Sequence, residues 1–255
     1  KKKIIRERAI NLIFCHEPVG GAIGRIAGRM TNCKVIYMAH GFHFYKGAQK
    51  SAKIYYYIEK YLSQYTDVLL TINQEDYKVS QSFKAKENYI LPGIGVDTEK
   101  FIYTPDYKYL RCELGIGEND VIMLSVGELI ERKNHETIIN VVARIKEPHI
   151  HYVVVGDGEL RYYLNEKVSI LGLNNVHLLG YRTDINKLCN SADIFIMPSY
   201  QEGLSVALME AMACGMPIIA SRIRGNVDLI DENKGGYLVN VTDEKGYIKA
   251  IKNLI

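Results

Sequence analysis

"ADIFIMPSYQEGLSVALMEAMACGMPIIAS", residues 192–221, reads as two apolar strands around one short helix. "ADIFIMPS" and "MPIIAS" are short apolar runs, whereas Val206 to Cys214 between them is rich in Ala, Leu, Met and Glu, all good helix formers. Gly215 and Pro217 stop that helix, and Ser205 is placed to cap its start. Outward from this unit the same alternation repeats, with "NLIFC", "KVIYMAH", "DVLLTI" and "NYILPG" in one set and "VIMLSVG", "IHYVVVG" and "NVHLLG" joining the opening pair in another. Nearly continuous apolar strands separated by helix-length segments indicate parallel sheets buried on both faces. The chain is therefore α/β. The first set has about four strands and the second at least five. Between them "PGIGVDTEKFIYTPDYKYL", residues 92–110, has two prolines, two glycines and no clear periodicity, which places a domain boundary near residue 106, with domains 1–106 and 107–255.

Ligands of open α/β sheets bind at the carboxyl ends of strands, and the polar loops "GELIERKN", "GDGEL", "GYRTD" and "SYQEGLS" all follow strands. In the last of these, Glu202 precedes the helix and Glu210 projects from its second turn, about 7 Å further along the axis. The N–H groups of a helix N-terminus lie between them and favour an anion, which Gly203, Leu204 and Ser205 would hold. Carboxylates repel phosphate, so their partners are hydroxyls. A ligand with a phosphate middle and hydroxyl-rich ends is a nucleotide sugar. The plainer alternative is two solvated carboxylates around an ordinary buried helix. Arg132 and Lys133, in the loop after Gly127, are placed to meet phosphate oxygens, although a basic pair before a helix is common. Gly156 lies where a backbone must come close to a ligand. In the first set, "MAHGFHFYKGA" puts His40 and His43 directly after a strand. "YYYIEKYLSQYTD" spaces Tyr57, Tyr61 and Tyr65 as one helix face in the core.

Composition narrows the classes. The 255 residues are 47% hydrophobic and 24% charged with net charge +3, ordinary for a water-exposed fold and too weakly basic to expect nucleic acid as a partner. The five scattered cysteines read as reduced core residues of a cytoplasmic protein. No apolar run approaches a membrane span. Residues 1–34 are strongly basic, which fits either peripheral contact with an anionic bilayer or a solvated helix at a chain end. The chain has no G-x-G-x-x-G, no Walker A motif and no Asp-x-Asp pair, so neither cofactor nor metal is expected.

Glu202 to Glu210 as E-x7-E, with "VGDGEL", "LLGYRTDI", "ADIFIMPS" and "RKNHETII" in this order, resembles the retaining glycosyltransferases of family four, which have the GT-B fold of two Rossmann-like domains facing a cleft. "HGFHFYKGA" and "LPGIGVDTEKF" look like the bacterial capsule and exopolysaccharide branch. The resemblance implies transfer from a nucleotide sugar donor, with a UDP-sugar expected, to a glycan or polyprenyl-diphosphate-linked acceptor. It implies that Glu210 meets the ribose and Glu202 the donor sugar. Arg132 and Lys133 would bind the diphosphate that residues 203–205 cradle, Tyr181 and Arg182 would lie near the base, and His40 would reach the donor sugar. Glu128 stands where many members have arginine. Against the family pattern the first domain is expected to lack its opening strands and the second its closing helices. A nucleotide-sugar epimerase or a non-catalytic nucleotide-binding partner remain as alternatives.

Overall fold

The computed structural model describes residues 2–232 and 234–255, which divide into two compact units, Lys1–Ile94 and Gly95–Ile255. In the first unit β1 (Leu12–His16), β2 (Lys34–Ala39), β3 (Val68–Thr71) and β4 (Glu87–Ile90) form a four-stranded parallel sheet in sequence order. In the second, β5 (Val121–Val126), β6 (Ile150–Val155), β7 (Val176–Gly180), β8 (Ile194–Met197), β9 (Ile218–Ser221) and β10 (Gly236–Val239) form a six-stranded parallel sheet in the order β10-β9-β8-β5-β6-β7. The strand order reverses between β5 and β8. At such a reversal the connections leave in opposite directions and open a crevice at the carboxyl ends.

The second sheet is apolar without interruption because both its faces are covered. Along β5, Ile122 and Leu124 enter one core with Leu110, Val153, Phe195 and Leu208, while Met123 enters the other with Ile138, Val154, Ile196 and Tyr247. This is the period-two alternation of a strand, with an apolar residue demanded on each side. The nine strands legible in the sequence are all present. The additional strand is β10, whose four residues start on a glycine and carry too short a pattern to register.

Two expectations change. The unit boundary falls at 94/95 and not near 106, because residues 95–106 pack on the second unit. Phe101 is buried in its core, Asn190 Oδ1 accepts from Thr104 N at 2.7 Å, and Asn190 O accepts from Asp106 N at 2.9 Å. Prolines and glycines mark a loop without saying which side it covers. The tyrosines, in turn, are not a core face: Tyr57 is 66% and Tyr61 61% exposed, and the helix Lys53–Leu62 instead turns Glu59 and Leu62 inward. Glu59 is buried against Arg25, whose Nη1 and Nη2 donate to its carboxylate at 2.7 and 3.2 Å while the guanidinium lies 4.0 Å above the Tyr37 ring. That ion pair reverses the helix face the hydrophobic pattern favours, and it removes Arg25 from the basic surface of residues 1–34.

The ends of β5 and β6 are pressed together. Gly127 N donates to Val155 O and Leu129 N to Asp157 O, and a Cβ at Gly156 (φ +149°) would sit 1.9 Å from the Gly127 carbonyl oxygen. Gly156→Ala should therefore cost more than about 4 kcal/mol, whereas Gly172→Ala, at φ +62° with nothing within 4 Å, should cost only about 1 to 2 kcal/mol of αL strain. Urea unfolding of the two variants checks this. Equal losses would contradict the close approach.

Candidate nucleotide-sugar site

Two loops leave the crevice at the strand reversal. The first runs from Gly127 through the 3-10 turn Glu131–Lys133 to Asn134, which takes the left-handed conformation (φ 55°) and opens the helix His135–Ile145. The second runs from Pro198 to Ser205, whose β-region backbone and side chain, accepting from Leu208 N, cap the helix Val206–Ala213. The loops are sewn to each other. Asn134 Nδ2 donates to Pro198 O at 2.9 Å, and Tyr200 N donates to Arg132 O at 2.8 Å.

Charge closes the crevice. Glu202 is buried at 7% exposure, and Lys133 Nζ donates to its Oε1 at 2.7 Å. Arg132 Nη1 lies 3.4 Å from Glu202 Oε2 and donates to Gln201 O at 3.1 Å, while its Nη2 lies 3.6 Å from Glu128 Oε2. Burying one of these ions alone would cost several kcal/mol, so each cation is held where the other charge is. Gly127 makes this reach available: a Cβ there would meet the Lys133 stem at 3.2 Å.

Glu210 is treated differently by its surroundings. It is half-buried, and among the described residues nothing hydrogen-bonds to its carboxylate. Burial pushes its pKa above the usual carboxylate range, opposed by the charge of Lys100. A carboxylate short of donors suits hydroxyl groups. The backbone N–H groups of Leu204 and Ser205 also have no acceptor among the described residues. Gly203 is fixed from behind, since a Cβ at Gly225 would lie 2.4 Å from its carbonyl oxygen.

The cationic loop rests on a buried polar chain. His135 sets Nδ1 3.0 Å from Tyr152 Oη and Nε2 3.3 Å from Glu128 O, and Tyr152 Oη lies 3.0 Å from Ser125 Oγ. Ser125 Oγ donates to Ile196 O, so the Tyr152 hydroxyl donates to Ser125 Oγ and its oxygen faces His135 Nδ1 as an acceptor. His135 lies within "RKNHETII", yet nothing in the sequence marks it as the support of Arg132 and Lys133.

The structure thus brings together Gly127, Arg132, Lys133 and Glu202, and continues through Gly203, Leu204 and Ser205 to Glu210. Gly156 meets the Gly127 backbone. Tyr181 is 78% exposed after β7, and no described contact joins it to this group. Arg182 is held by Asp184 at 2.7 and 2.9 Å, by Glu113 at 2.5 Å and by Tyr109 Oη at 3.3 Å, so it ties its own loop to the helix Tyr107–Leu114. The Arg182 guanidinium, then Tyr109, hold the Asp184 carboxyl well below its ordinary range. His40 lies in the first unit, at the end of β2. Among the described residues no helix is long and apolar enough to cross a membrane.

Residues 107–255 match the family described as Glycosyl transferases group 1, and residues 2–73 match Glycosyl transferase 4-like. The chain belongs to the group 1 glycosyl transferases. Among curated relatives, the Bacillus subtilis (strain 168) "Putative glycosyltransferase EpsD" is 35% identical over 99% of this chain and 69% of that protein. The Escherichia coli "UDP-Gal:alpha-D-GlcNAc-diphosphoundecaprenol alpha-1,3-galactosyltransferase" is 31% identical over 98% of this chain and 67% of that protein. The chain thus spans about two thirds of the length of these relatives. The solved structure of Anabaena HepE in complex with UDP superposes with TM-score 0.87 at 21% identity, covering 98% of this chain and 71% of that one. The fold of this glycosyltransferase is accordingly GT-B, built from two parallel-sheet α/β units.

The buried histidine gives the pH test. Burial pushes His135 down to about 4, so in the folded glycosyltransferase it stays neutral where an unfolded chain, near 6.5, takes up a proton. Stability from this group is complete above about pH 6.5 and is lost as pH falls from there towards 4, by up to ~3 kcal/mol. Urea unfolding at pH 7.5, 6 and 5 should show a steeper decline for the parent than for His135→Gln. Parallel declines would contradict a buried neutral imidazole.

Proposed function

We propose that the protein transfers a sugar from a nucleotide diphosphate sugar, with UDP as the nucleotide, to a lipid-linked or growing glycan in cell-surface polysaccharide synthesis. The observation that carries this reading is the Lys133–Glu202 pair at the strand reversal, next to Leu204 and Ser205 N–H groups that have no acceptor, and a Glu210 carboxylate that has no donor, among the described residues. A diphosphate suits the cations and the helix start. Ribose hydroxyls suit Glu210, and donor-sugar hydroxyls suit Glu202. The relatives support the chemistry: one is a galactosyltransferase named for UDP-Gal and a diphosphoundecaprenol-linked acceptor, and HepE was solved in complex with UDP.

In the proposed reaction the bond from sugar C1 to the diphosphate oxygen breaks as the acceptor oxygen bonds to C1 on the same face. The acceptor proton passes to the departing phosphate oxygen, and configuration is retained. Arg132, Lys133 and the 203–205 backbone take up charge that develops on the diphosphate, so no metal ion is required. His40 contributes to the donor-sugar end, and Tyr181 stacks at the base end. The remaining basic side chains of residues 1–34, on the cytoplasmic face of the membrane, serve peripheral contact with anionic lipid.

UDP titration with variants tests the assignment of the two carboxylates. Glu210→Ala should weaken UDP binding about tenfold or more, the value of a hydrogen bond to a charged acceptor. Glu202→Gln, which keeps an oxygen for Lys133, should leave UDP affinity within about threefold and lower sugar turnover, and turnover in the parent should persist in EDTA. A large affinity loss from Glu202→Gln with none from Glu210→Ala would reverse the ligand, and turnover abolished by EDTA and restored by Mg²⁺ would overturn the metal-free reading.

A further inference from the structure

His16 ends β1, and its register partner in β2 is Met38, so it stands beside the chain just before His40. The two rings meet: His16 Nδ1 lies 2.9 Å from His40 Nε2, with ring centroids 5.2 Å apart and planes inclined at 33°. Neither ring's other nitrogen has a partner among the described residues.

The His16 ring is held from its own strand. Phe14 packs against His16 at 4.3 Å between centroids. Directly after His16, Glu17 takes φ 60° and ψ 156°, a region that essentially only glycine occupies without cost. That bend lets Pro18 start the helix Pro18–Thr31 at once, with Gly21 N donating to Glu17 O at 2.6 Å. Strain of this kind persists only where surrounding structure over-determines it. Here it fixes the direction in which β1 delivers His16.

We infer that His16 is a positioning residue for His40, holding its ring and its tautomer through an imidazole–imidazole hydrogen bond. The inference rests on the reading that His40 serves sugar transfer. Between two neutral imidazoles only one of the facing nitrogens carries hydrogen. The Nε2–H form is the commoner one for a free neutral ring, and with both rings in that form His40 Nε2 donates to His16 Nδ1. His40 Nδ1 is then left with a lone pair and accepts from a sugar hydroxyl. Without His16 the ring can turn, and either nitrogen can carry the hydrogen.

The test uses the full chain labelled with ¹⁵N-histidine, together with sugar turnover and UDP binding. The parent should show a scalar coupling between the two facing nitrogens and a slowly exchanging His40 Nε2–H. His16→Ala should lose both, lower turnover about fivefold to tenfold, and leave UDP affinity unchanged. His16→Asn, whose side-chain oxygen can replace Nδ1 as acceptor, should restore the protected Nε2–H and bring turnover to within about threefold of the parent. Parent-like turnover in His16→Ala while His40→Ala is inactive, or absence of the coupling in the parent, would overturn the positioning role and leave that of His40 standing. Parent-like turnover in His40→Ala would instead remove the reading beneath it.

Discussion

The reversal of strand order between β5 and β8 is the constraint on which the second unit depends, because it parts two loops at the carboxyl ends and leaves their charges to meet across the gap. Lys133 and Glu202 come from segments far apart in the chain, and their 2.7 Å contact exists only because these two strands are neighbours. The pair is held by backbone on either side: Asn134 to Pro198 and Tyr200 to Arg132 fix the loops, and the His135–Tyr152–Ser125 chain supports them from below. A diphosphate entering here would meet cations already in place, so little is lost in ordering them.

The pairing also gives the carboxylates different characters. Among the described residues Glu202 is satisfied by protein, and Glu210 is not. Eight residues apart, they frame the start of a helix whose cap is Ser205. This division was legible in the sequence as far as position goes, since good helix formers, a capping serine and a Gly–Met–Pro stop fix the helix to within a residue. What each carboxylate touches was not legible, because contacts across β5 and β8 depend on strand order, which no local pattern encodes.

The same limit explains the other differences. Continuous apolar runs announced nine strands, and in the second sheet burial on both faces is what leaves that mark, while β10 is too short to leave one. Glu59 turned inward against the helical hydrophobic pattern because Arg25, thirty-four residues earlier, neutralises it, and long-range ion pairs have no sequence period. Gly156 was readable as a place of close approach, but the approaching group is the Gly127 carbonyl. His16 went unnoticed for a related reason: "CHEP" is an unremarkable strand end until β2 sets His40 beside it.

The central claim is that the crevice at the β5–β8 reversal holds the nucleotide diphosphate, and amide hydrogen exchange with and without saturating UDP tests it most directly. The account predicts slowed exchange in residues 127–135 and 199–210, with the first unit unchanged. Protection confined to residues 181–184 or to the first unit, or no protection at all, would contradict it.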